Sequence, residues 1–399
     1  MTGAARGGVA EPLIFLIAGE PSGDLLGARL MAALKAETSG RVRFDGVGGT
    51  AMAAQGLRSR VPIGDLAVMG LVEVLPHALK ILGHIRRTAA AARAVRPRAV
   101  VTIDSPNFTL AVSKRLAGGG IPLIHYVAPS VWAWKPWRAR VMAGYLDHLL
   151  ALLPFEPPYF EKHGLATTFV GHPALEAASA RRDPAAFRRT HGVPVEAPLV
   201  CVLPGSRRGE VRRLGPVFGA ALRLLRARFP DLHAVVPTVP TVAGDVRAAI
   251  EGWPVPVIVE EWGEAKYDAF AASDVALAAS GTVAVELAVA GVPAVIAYRM
   301  APLTAFVARR LVKLKYVSLP NILLEREVQA EFLLERCTAE NLATAVGRLL
   351  ADPDARDEQR RALRRALAML RPDGESPSRI AARRILDLIA PGQGGGNRG

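Results

Sequence analysis

Short apolar runs alternate with helix-length stretches along this chain, and that alternation leaves little choice of architecture. In the first half LIFLIA, VRFDGV, AVVTI and PLIHYV are separated by helical stretches from about Gly23 to Ala36, after Pro76 and after Pro106. Strands spaced by helices of that length form right-handed βαβ units around a parallel sheet, because a parallel neighbour is reached only by crossing a sheet face. The pattern restarts at LVCVLP and runs through a long helix from about Arg207 to Arg228, then LHAVVP, VPVIVE, DVALAA and PAVIAY. Between the two sets, residues 174 to 198 are polar, proline-bearing and short of apolar periodicity, which reads as a linker. The expected fold is α/β, with two Rossmann-like doubly wound domains, residues 1–175 and 198–370, facing one another across an active-site cleft. Of the last helices, around 355–370 and 378–389, the second lies in a C-terminal segment, 371–399, whose helix could return to the N-terminal domain. Its ending, GQGGGNRG, is low in complexity and expected to be disordered.

At 399 residues and 51% hydrophobic, the chain is long and apolar enough for two cores. Its net charge of +14 favours anionic partners such as nucleotides or phospholipid headgroups. Aromatic residues, at 6%, are not interleaved with basic ones as base-stacking surfaces require, so no nucleic-acid partner is expected. Cys201 and Cys337 stand far apart, without CxxC spacing or clustered histidines. That fits a reducing compartment and gives no metal signature. Residues 116 to 134 carry no formal charge, but Gly118, Gly119, Gly120, Pro122 and Pro129 break any spanning helix. PLIFLIAG is followed by GEPSGD, which is no cleavage pattern, so it reads as a first buried strand and a cytoplasmic location is expected.

Three glycine turns and one proline-bearing turn between strand and helix carry the chemistry. In ASGTVAVELAVAGVPAVIAYR, 279–299, Ser280, Gly281 and Thr282 would offer backbone N–H groups to a pyrophosphate at a helix start. Glu286, one helical turn on, could accept bonds from ribose hydroxyls, and the alternative is a plain βαβ turn with Glu286 on a solvated face. LPGSRRGEV, 203–211, repeats the theme. Gly205, Ser206 and Arg207 would give N–H groups and a guanidinium to a diphosphate, since cations at a helix start are unfavourable without an anion. AGEPSGDLLGARL, 18–30, lacks GxGxxG spacing and so disfavours a dinucleotide. Glu20, Ser22 and Asp24 suit sugar hydroxyls there, although for Asp24 the preferred reading is a cap on the same helix. DSPNF, 104–108, places Asp104 at a strand's carboxyl end, partly desolvated, where it can act as general base toward a hydroxyl. An Asx turn before Pro106 is the alternative.

Three further stretches bear on ligands and membranes. YVAPSVWAWKPWRAR, 126–140, holds three of five tryptophans, with packing preferred over a sugar or acyl wall, and His125 before it reads as structural rather than as a base. Residues 76–98 bear six Lys or Arg and no acid, with Leu75, Leu79, Leu82 and Ile85 at helical spacing. Residues 300–315 are similar, with Arg309, Arg310, Lys313 and Lys315 beside Leu303, Phe306, Val307 and Leu311. Such basic amphipathic helices lie on anionic bilayers or, more commonly, pack on a core with a solvated basic face.

Taken in order, AGEPSGDLLGARL, GVGGTAMAAQG, AVMGLVEVLP, DSPNF, YVAPSVWAWKPWR, FVGHP, LPGSRRGEV, ASGTVAVELA and YVSLPN resemble the motifs of the lipid-A-disaccharide synthases, bacterial glycosyltransferases of the GT-B class. The resemblance implies that UDP-2,3-diacylglucosamine is joined to 2,3-diacylglucosamine 1-phosphate with inversion, without metal or cofactor, giving a β-1,6-linked disaccharide and UDP. By the same resemblance Asp104 is the catalytic base and Glu20 and Ser22 are first-domain positions needed for activity. Arg207, Ser280, Gly281, Thr282, Glu286 and Asn321 would hold UDP and the donor sugar. The basic amphipathic surface is expected to hold the chain peripherally on the cytoplasmic face of the inner membrane, and a homodimer is left open. Residues 325–342 depart from the family pattern, with Ala330, Glu331 and Leu334 where a Pro-Glu pair and a Gln are usual, so no donor contact is expected there beyond a weak one from Glu331. A UDP-sugar epimerase on the same two-domain scaffold is the alternative activity.

Overall fold

A computed structural model describes residues 11–66, 78–177, 182–261, 263, 265–300, 314–372 and 374–390. The chain divides into two units, Met1–Pro173 with Arg371–Gly399, and Ala174–Leu370.

The first unit carries six parallel strands: β1 (Leu13–Ala18), β2 (Arg43–Val47), β3 (Ala99–Ile103), β4 (Leu123–Tyr126), β5 (His148–Ala151) and β6 (Thr167–Phe169). Their order is β2-β1-β3-β4-β5-β6. The last two, HLLA and TTF, extend the sheet beyond the four apolar runs expected. Its helices are α1 (Pro21–Glu37), α2 (Thr50–Ala54), α3 (Ala78–Val95), α4 (Pro106–Leu116), α5 (Trp137–Ala143) and α6 (Pro157–Glu161). Strand periodicity of two sorts β1 between two cores. Phe15 and Ile17 face Ile85, Ala89 and Ala92 of α3, Leu110 and Val112 of α4, and Met142 of α5. Ile14, Leu16 and Ala18 face Leu26, Leu30, Met31 and Leu34 of α1.

The second unit begins with α7 (Ala174–Ala177) and α8 (Pro184–Thr190) and repeats the architecture with β7 (Leu199–Leu203), α9 (Arg208–Arg228), β8 (His233–Thr238), α10 (Ala243–Ile250), β9 (Val257–Glu261), α11 (Ala265–Ala272), β10 (Val275–Ala279), α12 (Val283–Val289), β11 (Ala294–Tyr298), α13 (Leu319–Leu324), β12 (Glu331–Leu333), α14 (Ala339–Ala351) and α15 (Pro353–Met369). The order is β12-β11-β10-β7-β8-β9, again all parallel. Val200 and Val202 pack toward α9 and α14, while Leu199, Cys201 and Leu203 pack toward α8, α11 and α12.

Residues 174–198, expected as a linker, are part of the second unit. Asp183 caps α8 by accepting from the Ala186 N–H at 3.0 Å, and Phe187, Val193 and Ala197 are buried in the core beside Leu199. One seven-residue helix is too short to show periodicity among its arginines, which is why the segment looked coreless. At the other end, α16 (Pro377–Ile389) belongs to the first unit and buries Ala381, Ala382 and Ile385 against the α1 face of its sheet. Arg379 and Arg383 of α16 pair with Glu37 at the end of α1, and Arg98 donates to the Ile389 carbonyl at 2.7 Å.

Candidate active site

In each sheet the strand order reverses direction at one place, and in doubly wound folds a crevice opens there beyond the strands' carboxyl ends. In the first unit that place lies between β1 and β3. Ala18 stands opposite Ile103, so Gly19–Glu20 and Asp104–Ser105 leave the sheet side by side. The approach needs a glycine, because a Cβ on Gly19 would stand 2.5 Å from Ser105 Oγ.

Asp104 and Ser105 both adopt left-handed backbone, with φ of 47° and 46°. Each such non-glycine residue costs on the order of 1–3 kcal/mol and persists only where its surroundings enforce it. Here Thr109 Oγ1 donates to the carbonyls of Asp104 (2.5 Å) and Ser105 (3.1 Å), and the Asp104 N–H donates to Tyr126 O at 2.9 Å. The Asp104 carboxyl is half-buried. Desolvation holds its pKa above the usual carboxylate value, against a smaller opposing effect of the Ser105 N–H. An Asx turn cannot close here, because Pro106 has no N–H to give the Asp104 carboxylate; the turn is instead a strained one that desolvates the acid.

Glu20 is the half-buried N-cap residue of α1 and Ser22 is exposed in its first turn. Asp24 does cap a helix, but a different one from that expected. Its carboxylate accepts from the amides of Gly49 (2.7 Å), Ala51 (2.9 Å) and Met52 (3.0 Å), the start of α2, and ties the loop after β2 to the first turn of α1.

In the second unit the reversal lies between β7 and β10, with Leu203 opposite Ala278. This register sets Gly205, Ser206 and Arg207 beside Ser280, Gly281 and Thr282. The expectation that backbone amides of both turns await a diphosphate needs correction. The N–H groups of Ser206 and Arg207 donate to one Glu210 oxygen, at 3.1 and 3.3 Å, while Arg207 Nη1 reaches the other at 3.0 Å. Gly205, at φ 115°, leaves room for that carboxylate where a Cβ would collide with it. Arg208 has its own anion in Asp245, at 3.4 Å. Glu210 sits at the capping-box position three residues after Arg207, a signal present in LPGSRRGEV but not used. What remains open toward solvent is the Arg207 guanidinium, 62% exposed.

Across from it, the Ser280 N–H donates to Ala297 O at 3.0 Å as part of the sheet, which leaves exposed Gly281 and Thr282 as the outward-facing pair. Glu286 lies on neither a solvated face nor an unoccupied one. Its Oε1 accepts from buried Lys266 at 2.8 Å and from the Tyr267 hydroxyl at 3.2 Å. Lys266 and Tyr267 come from α11, and nothing near Glu286 in sequence announced them.

Asn321 has a different task from the donor contact expected of it. Fully buried, it donates through Nδ2 to Gln329 O and Glu331 Oε1, both at 2.7 Å, and accepts through Oδ1 from the amides of Val328 (2.8 Å) and Gln329 (2.9 Å). Both donors and both lone pairs of the amide are used. Glu331 also accepts from the amides of Val317 and Ser318, and burial raises its carboxyl pKa. The pair binds α13 to β12 instead of facing a ligand.

His125 is structural, as read. It is fully buried, held by Thr102 Oγ1 at 2.9 Å, with burial pushing its pKa down to about 3. In the tryptophan loop, Trp132 packs edge-on against Phe155 and donates to Glu156 at 3.3 Å, whereas Trp134 and Trp137 are 43% and 60% exposed. Glu156, unnoticed in the sequence, is buried just beyond β5 and also accepts from the amides of Leu152 and Leu153. Desolvation pushes its carboxyl up to about 7. Of the two basic segments, α3 shows Leu79 85% exposed and Leu82 40% exposed while Ile85 is buried. Its Lys80 pairs with Asp65 at 2.8 Å, a partner outside the segment. The second basic segment and the motif AVMGLVEVLP lie almost wholly outside the described residues. Among the described residues no helix is long and apolar enough to cross a membrane, and no cluster of three His, Cys, Asp or Glu is placed to hold a metal ion.

A family model described as lipid-A-disaccharide synthetase matches residues 14–385. The lipid-A-disaccharide synthase of Rhodospirillum centenum is 54% identical over 379 residues, covering 94% of each chain. Among solved structures, a putative UDP-N-acetylglucosamine 2-epimerase from Listeria monocytogenes superposes with a TM-score of 0.62 at 15% identity, covering 95% of this chain and 96% of its own. A glycosyltransferase of kitacinnamycin superposes with a TM-score of 0.59 at 17% identity, covering 95% and 99%. At such identities the two structures share the fold alone.

Proposed function

The chain belongs to the lipid-A-disaccharide synthase family, and on that premise we propose how its residues divide the reaction. The protein is a glycosyltransferase of lipid A biosynthesis that condenses UDP-2,3-diacylglucosamine with 2,3-diacylglucosamine 1-phosphate and releases UDP. The epimerase alternative rested on the scaffold, which both activities share, and the family match over residues 14–385 weighs against it. The first unit takes the acceptor. Asp104, its basicity raised by burial, removes the proton from the acceptor 6-hydroxyl as that oxygen attacks the anomeric carbon and UDP departs. Glu20, in the adjoining turn, and Ser22 orient sugar hydroxyls.

The second unit takes the UDP-sugar. The Arg207 guanidinium and the Ser206 hydroxyl, with the amides of Gly281 and Thr282, stabilise the leaving diphosphate, and Gly205 shapes that turn. Ser280 supports it through its sheet bond, and Glu286, held by Lys266 and Tyr267, has its second oxygen left for ribose. Asn321 acts only by fixing the nearby α13 turn. The observation that carries the base assignment is the strained, half-buried turn at Asp104.

The test is Asp104→Asn, which keeps the shape and removes the basicity. Turnover of purified protein in detergent, followed by mass spectrometry of lipid products and UDP, falls at least ~100-fold while UDP binding is kept. Near wild-type turnover refutes the base. In the wild type kcat/KM drops as pH falls through the Asp104 pKa, which lies above the usual carboxylate value because of burial. The protein works at the cytoplasmic face of the inner membrane, with exposed Leu79 and Leu82 and the basic residues of α3 against anionic lipid. Binding to anionic vesicles weakens with salt, and salt-independent binding refutes the electrostatic part.

A further inference from the structure

Between α4 and α5 of the first unit lies a groove of about 240 Å³ that the reaction as described leaves unused. It begins at Pro106, two residues beyond Asp104. Leu110 and Met142, both buried, form its floor, and Ala111, Val141, Trp137 and Tyr145 form its walls. Trp137 is 60% and Val141 45% exposed, an unusual cost for two large apolar side chains on one concave surface. Two cations, Lys114 and Arg138, line the same groove, and no acid does. Among the described residues neither cation has an ion-pair partner. Apolar walls with an uncompensated positive edge complement an anionic amphiphile. A plain packing defect would need no cations, and an anion site alone would need no aromatic wall.

We propose that this groove holds an acyl chain of the acceptor, with Lys114 and Arg138 drawing its phosphate, so that the acceptor sugar is placed at the Asp104 turn. This rests on the acceptor reading of the first unit given above. Acyl length then becomes a property of α4 and α5: each methylene that loses its wall weakens binding about fourfold. Trp137, at the start of α5, and Val141, one turn later, are specificity-determining residues.

Two variants test the proposal. Ala111→Phe fills the groove, and Val141→Asp, at an exposed helix position where folding is little affected, sets an anion against the chain. Each is assayed in detergent micelles against acceptors of graded acyl length, and acceptor binding is followed separately by tryptophan fluorescence, so that the answer does not depend on turnover. The acceptor KM and dissociation constant rise at least ~10-fold for the longest chains and progressively less for shorter ones, while UDP affinity is unchanged. Lys114→Ala weakens acceptor binding by a similar factor at every chain length. Unchanged acceptor binding in both groove variants overturns the proposal, as does a loss independent of chain length or one confined to vesicle partitioning. Wild-type disaccharide formation in the same assay judges the transferase reading independently of the groove.

Discussion

Glu156 gives a prediction whose size follows from its surroundings. Its carboxyl is 2% exposed, accepts three N–H groups and has a pKa near 7 where a free glutamate has 4.5. A raised folded-state pKa adds stability that is fully present below pH 4.5 and is lost as pH rises through 7. The whole effect is roughly 3 kcal/mol, of which about 2 kcal/mol is lost between pH 5.5 and 8.5. Glu156→Gln is neutral at every pH, and its amide oxygen can still accept from Leu152 and Leu153, although it forfeits one of the original contacts. The stability gap between wild type and variant should therefore shrink by about 2 kcal/mol from pH 5.5 to 8.5. Buried His125, His148 and His172, whose pKa values are pushed down to about 3, 4 and 4, impose the opposite pH trend, but equally on both proteins. Urea unfolding of the two proteins at both pH values, with hydrogen exchange of the Leu152 and Leu153 amides, reads the effect. A gap that does not change with pH would refute the claim that this carboxyl is protonated in the folded protein at mild acidity.

Asn321→Ala should leave the Val328 and Gln329 amides unpaired in the interior and destabilise the second unit by about 2–4 kcal/mol, with UDP affinity unchanged once folded. Calorimetric UDP titration showing a large affinity loss without a stability loss would restore Asn321 as a ligand contact. Lys266→Met should strand Glu286 as a part-buried unpaired carboxylate, costing about 3 kcal/mol or more and weakening UDP binding. A variant with wild-type melting and wild-type UDP affinity would show that the Lys266–Glu286 pair matters to neither.

The parallel architecture was legible because six-residue runs such as LIFLIA must be buried on both faces, and only βαβ units do that. Short strands such as TTF and EFL were not, since three residues carry no period. At the site, the turns at Asp104, Gly205 and Ser280 were found because glycine and proline mark strand-to-helix junctions. Which polar groups those turns leave open was not, because it depends on partners distant in sequence. Lys266 claims one oxygen of Glu286 from twenty residues away, and Asn321 is saturated by a loop seven to ten residues on. Glu210 differs: its place at the third helical position already implied that the amides before it were spoken for.

Because α16 completes the first unit, the order of synthesis matters. Residues 174–370 must be made after Pro173 and before the closing helix, which takes on the order of 10–40 s at typical translation rates. Throughout that interval the sheet face that carries α1 lacks the helix that packs beside it, and Glu37 at the end of α1 lacks its two arginine partners. The nascent chain therefore passes through a stage in which its second half can mature before its first, and a ribosome stalled between Leu370 and the closing helix releases a product with one sound unit and one sticky one.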